Sequence, residues 1–298
     1  MAGDTNVRVR FSKLIFNITP RKSEIDQIKT SMSMIKRRLE SSFGIKGFML
    51  AGSHQRETAI RKISDVDFFA VFPRNAARWG GSYVNSQTFL ENIRADLGTR
   101  FWQTLISRDR QAIVIQFKSG DNAVDVVPAI FDRVERGVGP IFMIPDGEGD
   151  WLQTSPYTHT RFIANADKKS GYKLRRTAQI LKFWRYCRTP VVPLSSFHIE
   201  LLLAASGTCE GVMSYPECVA QAFYLMVQRK CASFRDPTGI SGLIHAVKTQ
   251  PQRDAALGSL GSSCRWAWEA LEAERNRDNA EACYRWSLVF NHNFPSLR

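Results

Sequence analysis

Apolar positions in the first half of the chain alternate between a helical and a strand period. From 20 to 43, Ile25, Ile28, Met32, Ile35 and Leu39 recur at three- and four-residue steps, which predicts one helix with a single apolar stripe. Pro20 and Ser23 supply its start, and Gly44 and Gly47 its stop. Phe48 to Ala51 reads as a strand entering a Gly52-Ser53 turn, and a short helix is expected from Arg56 to Arg61. Asp65 to Phe72 is the next strand, closed by Pro73, and a helix follows near 86–97. Strands at 112–118 and 123–130 flank Ser119-Gly120-Asp121-Asn122, a hairpin turn, and 141–144 adds another strand. Beyond Pro145-Asp146-Gly147 the pattern is helical, at 173–187, 196–206, 216–231 and as a pair between 262 and 290. Strands first and helices afterwards predict an α+β, two-lobed fold with a mixed-sheet lobe over 1–150 and a helical lobe over 151–298. The 20–43 helix is long enough to bridge both, and the cleft between the lobes is the expected active site.

Charge breaks this pattern at three strand positions. Asp65 and Asp67 lie two residues apart in an apolar run, so on a strand they share a face, and Phe68, Ala70 and Phe72 are read as its apolar continuation. Asp125 sits in the 123–130 run. Carboxylates among β-branched and aromatic residues are costly unless a cation compensates them. Three of them suit a pair of hard divalent ions, Mg²⁺ with Mn²⁺ as a substitute. The Gly52-Ser53 turn just before them offers amide groups and a hydroxyl to phosphate. The combination points to metal-assisted phosphoryl chemistry on a nucleotide.

Composition agrees with a folded protein: 298 residues, 44% hydrophobic and 11% aromatic. Met1 to Phe16 has no apolar core of a secretory signal, and no run is long enough to span a membrane, so a cytoplasmic location is expected. All six cysteines fall in the second half without metal-ligand spacing, which predicts reduced thiols. The net charge of +13 reaches its highest density from Arg161 to Arg188, where nine basic residues face only Asp167. A polyanion suits that excess: the triphosphates of NTP substrates, or an activating RNA or DNA.

The order of Gly52-Ser53, Thr58-Ala59-Ile60, Ser64-Asp65-Val66-Asp67 and the distal Asp125 resembles the DNA-polymerase-β-like nucleotidyltransferases. Within them it resembles the bacterial cyclic-oligonucleotide synthases, relatives of cyclic GMP–AMP synthase and oligoadenylate synthase. Pro145-Asp146, Trp151, Thr154-x-Pro156, His159, Leu181-Lys182-Phe183-Trp184 and Ser195-Ser196-Phe197-His198 follow in a similar order, so the resemblance covers about 20–205. It implies that Asp65, Asp67 and Asp125 are the catalytic metal ligands. It also implies that Gly52 and Ser53 hold phosphates, that Lys182 and Ser196 contact the triphosphate, that Phe197 stacks on a base and that Thr154 reads one. Read alone, Phe197 is a core aromatic, and Arg175 shares the helix face of Lys182. Ser196 is placed at a helix N-cap. The implied activity joins ATP or GTP into a cyclic di- or trinucleotide messenger for a downstream effector, in the bacterial anti-phage system called CBASS. A linear oligonucleotide synthase or RNA-tailing enzyme would use the same carboxylates. A silent nucleic-acid-binding module would have no use for them.

Overall fold

The computed structural model describes residues 6–117 and 123–296. In chain order, helices α1 (Asn6–Ile18) and α2 (Lys22–Phe43) precede β1 (Gly47–Leu50), the single helical turn α3 (Gly52–Gln55) and β2 (Val66–Phe72). A ribbon of β3 (Arg78–Trp79) and β4 (Ser82–Tyr83) leads to α4 (Ser86–Arg100), then β5 (Leu105–Asp109), β6 (Ala112–Gln116), β7 (Val124–Glu135), β8 (Gly139–Pro145) and β9 (Trp151–Thr154). Next come α5 (Pro156–Lys169), α6 (Leu174–Tyr186), α7 (Ser196–Ser206) and α8 (Tyr215–Gln228). The small pair β10 (Phe234–Arg235) and β11 (Leu243–Ile244) follows, then α9 (Gln250–Arg275) and α10 (Asn279–Val289). Contacts divide the chain into a sheet-bearing unit, 20–161 with 238–241, and a helical unit comprising 1–19, 162–237 and 242–298.

The sheet-bearing unit is built on a mixed seven-stranded sheet whose main path is β1-β2-β7-β6-β5, with β8 and β9 continuing from β7. β2 and β7 run parallel at its centre, and every other pair is antiparallel. The alternation of β2 decides what each face does. Val66, Phe68, Ala70 and Phe72 point into the larger core with Ile35 and Leu39 of α2 and Phe89, Leu90, Ile93 and Leu97 of α4. Phe69 and Val71 point the other way, packing with Ala51, Ala129, Phe142 and Ile144. Phe68, Ala70 and Phe72 therefore do not continue the aspartate face; at odd spacing from Asp67 they lie behind it. Its apolar continuation is Phe69 and Val71.

α2 runs as its stripe predicts and stops at Gly44 (φ +62°), whose N–H returns to the Glu40 carbonyl. It begins at an Arg21 cap closed by Glu24, whose carboxylate accepts the Arg21 N–H at 2.7 Å. The helical turn after β1 is Gly52–Gln55, a few residues earlier than expected, and 56–61 is turn and coil. The hairpin residues 119–122 lie outside the described residues, while β6 and β7 pair antiparallel on either side of them.

In the helical unit, Phe11 of α1 meets Trp286 edge-on at 4.8 Å, and Trp184 meets Phe223 at 5.0 Å. The Trp184 indole donates to Ser263 at 2.8 Å, so the buried polar edge is satisfied. α1 was not anticipated, although Val7, Phe11, Leu14 and Ile18 form a helical stripe that is buried throughout. All six cysteines are free thiols.

Candidate active site

The parallel register sets Asp67 directly beside Asp125. Neighbouring strands lie about 4.8 Å apart, so these carboxylates stand side by side on one face. Asp65 immediately precedes β2, two positions back on the same face. Val114 opposes Asp125 on β6 and Ser107 opposes Val114 on β5, so the row crosses the sheet and places Asp109 on that face as well. Asp109 is a fourth acidic group that sequence reasoning missed. Nothing in Leu105-Ile-Ser-Arg-Asp109 marks a strand until its pairing with β6 is known.

Electrostatics records this convergence. The Asp125 carboxyl is pushed up to about 7, first by desolvation and then by the charges of Asp67, Asp65 and Asp109. Asp65, though more exposed, is also raised by partial desolvation and by Asp109. The donor chemistry, several carboxylates repelling one another beside an apolar layer, fits hard divalent cations. Among the described residues no three His, Cys, Asp or Glu side chains are already drawn together at ion-holding distance. Side-chain rotation about the fixed strand positions would have to bring the oxygens together.

The Gly52-Ser53 turn is built against this row. Ala51 N–H donates to the Asp67 carbonyl at 2.8 Å, so the turn hangs on β2. Gly52 adopts φ +58°, and a Cβ there would fall 1.7 Å from the Asp67 carboxylate oxygen Oδ2. Only glycine lets the backbone come this close. Ser53 is half-buried next to it, and its carbonyl accepts the Thr58 N–H at 2.9 Å. Gln55 accepts from Thr160 at 3.2 Å, which fixes the end of the turn to α5. On the opposite face, Val66 and Val124 line a cavity of about 550 Å³ with Ile28, Ile60, Phe117 and Arg61.

Thr154 ends β9 opposite Phe142, half-buried. The neighbouring landmarks are structural. Asp146 Oδ1 accepts the N–H groups of Glu148, Gly149 and Asp150, and the Trp151 indole donates to the Val84 carbonyl at 2.8 Å.

In the helical unit, Lys182 on α6 is 2% exposed and ion-paired to Glu200 of α7, which is fully buried. The cap of α7 is Ser195, which accepts the His198 N–H at 3.2 Å, rather than the expected Ser196. Ser196 occupies the first helical position and accepts from Arg185 Nη1 at 2.7 Å. Phe197 is half-buried beside it. The structure thus brings Asp65, Asp67, Asp125, Gly52 and Ser53 together in one unit. In the other it brings together Lys182 with Glu200, and Ser196 with Arg185.

The basic stretch from 161 to 188 is largely engaged internally. Arg161 donates to the Gly137 and Val138 carbonyls, Lys173 to Gly211, and Arg176 to Thr19 and Gln179. Arg175 pairs with Asp167, and Arg188 donates to Ser263 and the Leu288 and Val289 carbonyls.

A mixed sheet carrying paired carboxylates beside a Gly-Ser turn, with a helical unit in the same chain, defines a polymerase-β-like nucleotidyltransferase. Residues 6–166, more than half of the chain, match the model of the Second Messenger Oligonucleotide or Dinucleotide Synthetase domain (SMODS). The chain belongs to that family and is a nucleotidyltransferase enzyme. A probable cyclic nucleotide synthase of Bacillus cereus (strain VD146) is 21% identical over 279 residues, covering 82% of this chain and 81% of the relative. A CBASS oligonucleotide cyclase, CdnC, of Escherichia coli (strain KTE188) is 27% identical over 195 residues, covering 61% of this chain and 57% of the relative. The fold is that of E. coli MS115-1 CdnC, solved in complex with HORMA-deltaN, at TM-score 0.74 and 18% identity over 99% of both chains. E. coli DncV bound to 3′-deoxy GTP matches at TM-score 0.73 and 14% identity, over 95% of this chain and 94% of that one. Among the described residues no helix is long and apolar enough to cross a membrane.

Proposed function

We propose that this enzyme makes a cyclic di- or trinucleotide messenger from ATP, GTP or both, as part of a CBASS-type response. The observation that carries the reading is the Asp67–Asp125 pair in the parallel β2–β7 register, with Asp65 beside it and Gly52 pressed against Asp67. In each transfer a ribose hydroxyl oxygen bonds to the α-phosphorus of an NTP and the bond to pyrophosphate breaks. Asp125, with a carboxyl that titrates near neutrality, accepts the hydroxyl proton. Gly52 and Ser53 hold the phosphates on the turn, with the Ser53 hydroxyl and the turn amides as donors. Phe197 offers an aromatic face to a base, Thr154 a side chain to its edge, and Ser196 a hydroxyl to phosphate. Asp65, Asp67 and Asp125 would hold two Mg²⁺ ions, which when bound supply charge neutralisation at the leaving pyrophosphate and acidify the attacking hydroxyl. Ring closure is the same transfer within the linear intermediate. A linear intermediate, 5′ pppA(3′,5′)pG, was captured in Vibrio cholerae DncV.

The test is incubation with α-labelled NTPs and Mg²⁺, followed by phosphatase and then nuclease. A labelled product that resists phosphatase and yields to a phosphodiesterase is the expected ring. A phosphatase-sensitive chain would instead make this a linear synthase.

A further inference from the structure

All six cysteines lie in the helical unit, and two of them meet. Cys209, just past the end of α7, and Cys218, in the first turn of α8, are both fully buried. Their thiols hydrogen-bond to one another, and the Thr177 hydroxyl of α6 lies within hydrogen-bond reach of both sulfurs. The chain between them is held as a corner. The Glu210 N–H donates to the Gly207 carbonyl at 2.9 Å, the Lys173 ammonium to the Gly211 carbonyl at 3.1 Å, and the Ser214 N–H to the Glu217 carboxylate at 2.7 Å. Cys218 closes the first turn of α8, its N–H donating to the Ser214 carbonyl at 3.0 Å, where the helix dipole favours negative charge. Its thiol is held below its ordinary value, first by the hydrogen bond with Cys209 and then, against burial, by the Lys173 ammonium and Thr177; the Cys209 thiol is raised. Cys187, Cys231, Cys264 and Cys283 are all raised, burial first, and among the described residues no second thiol acts on any of them. Isolated buried thiols are inert, whereas a contacting pair with one acidified sulfur is built to oxidise. Val212, between the two, is fully exposed, and residues 207–214 form no helix or strand. The sulfurs therefore lie under a surface corner that need open only locally to admit a molecule little larger than water.

We propose that Cys209 and Cys218 form a reversible oxidation site, a dithiol at rest that hydrogen peroxide converts to a disulfide. The Cys218 thiolate attacks one peroxide oxygen, the O–O bond breaks, and the departing hydroxide takes up the proton that Cys218 lost, leaving water and a sulfenic acid on Cys218. The Cys209 sulfur then attacks the Cys218 sulfur. The S–S bond forms, the S–O bond breaks, and the second hydroxide leaves as water with the Cys209 proton. Two thiols are oxidised and one peroxide is reduced to two waters; an external dithiol reverses the step. The bond ties the end of α7 to the start of α8 through the loop 209–218, which restricts the unfolded chain and stabilises the oxidised protein. The step uses no nucleotide and does not depend on the reading above.

The experiment treats the folded full chain with hydrogen peroxide, blocks the remaining thiols with N-ethylmaleimide, and digests without reduction for mass spectrometry. A peptide joining Cys209 to Cys218, lighter than the two thiols by two hydrogens, should appear while the other four cysteines carry the blocking group. Cys218 should be consumed roughly tenfold faster than Cys187 or Cys231, and dithiothreitol should return all six thiols. The oxidised protein should melt about 5 °C higher than the reduced one, and the gain should vanish on reduction. In Cys209→Ser the sulfenic acid has no resolving thiol, so dimedone should label Cys218; in Cys218→Ser, Cys209 should stay unlabelled. Cys209→Ala and Cys218→Ala, which bury no hydroxyl, give the same readouts should a serine variant not fold. Six intact thiols after peroxide, a disulfide between any other two cysteines, a 209–218 link that forms only in urea, or dimedone on Cys209 rather than Cys218 would each overturn the assignment. Incorporation of labelled NTP is read separately, so a failure here leaves the nucleotidyltransferase reading standing, and a failure there leaves this one.

Discussion

Two regions of this molecule hold charge in apolar surroundings, and they balance it differently. On the β2–β7 face, burial first and then the charges of Asp67, Asp65 and Asp109 push the Asp125 carboxyl up to about 7. Between α6 and α7, Lys182 and Glu200 are at least as deeply buried but are matched by each other. An unbalanced cluster makes the folded state wait for a ligand, whereas a matched pair completes the fold by itself. Residue type alone does not separate these cases. A lysine on a basic helix ordinarily reads as solvated, and the pairing of Lys182 with Glu200 is visible only in the structure.

The largest expected effect breaks the unbalanced side. Asp65→Asn with Asp67→Asn should abolish incorporation of labelled NTP, since metal-assisted charge stabilisation is worth several kcal/mol and each 1.36 kcal/mol is about tenfold in rate. The metal-free protein should be as stable as wild type or slightly more so in thermal melts, because carboxylate repulsion is relieved. Wild-type turnover in that variant would remove these residues from the reaction.

Gly52→Ala tests the same face through its backbone. The substitution drives a methyl into the Asp67 carboxylate at a positive φ. A displacement near 1 Å at a reacting group can cost about 100-fold, so kcat should fall by that order in steady-state assays. Ser53→Ala, next to Gly52 but without its positive φ, serves as the comparison and should chiefly raise the KM for NTP.

The balanced side is tested by unbalancing it. Glu200→Gln strands a buried ammonium and should lower stability by about 3–5 kcal/mol in denaturant unfolding, whereas Lys182→Met with Glu200→Leu should cost little. If Glu200→Gln melts with wild type, the pair does not hold α6 to α7.

A pH series sharpens the contrast. The folded-state pKa of Asp125 lies above its unfolded value, so its neutral form favours folding. That contribution is complete below the ordinary carboxylate range and is lost as pH rises through about 7. In EDTA, wild type should therefore lose stability relative to Asp125→Asn between pH 5 and 8, by about 1–2 kcal/mol once solvent screening is allowed for. Mg²⁺ should restore wild type at pH 8 and do little for the variant.

Asp65, Asp67 and Asp125 were legible as a cluster because strand period makes i and i+2 neighbours, and because charge in an apolar strand demands an explanation. The same period, applied one residue out of phase, put Phe68, Ala70 and Phe72 on the wrong face. Asp109 was invisible, since its place depends on the β5–β6 register and not on its own surroundings in sequence. Glu200 lies 18 residues from Lys182 on another helix, so their pairing is a tertiary fact. Helix α1 carries a readable stripe in Val7, Phe11, Leu14 and Ile18, all of them buried.

The smallest expected effect concerns nucleic acid. A run of nine basic residues suggested a regulatory RNA or DNA surface, yet most of them make the internal contacts that build the fold. Arg161, Lys168 and Lys169 are the exposed members, and Arg161 already donates to two carbonyls. Binding that neutralises Z phosphates falls with salt at a slope of about −0.9Z, so this stretch supports a slope no steeper than about −3. Added RNA or DNA should then leave NTP turnover within about twofold of its value without it, and Lys168→Glu with Lys169→Glu should change neither turnover nor its salt dependence appreciably. Activation with a slope steeper than about −6, abolished by that charge reversal, would mean that the stretch reaches a polyanion after all. The matched charges of α6 would then have to open to receive it.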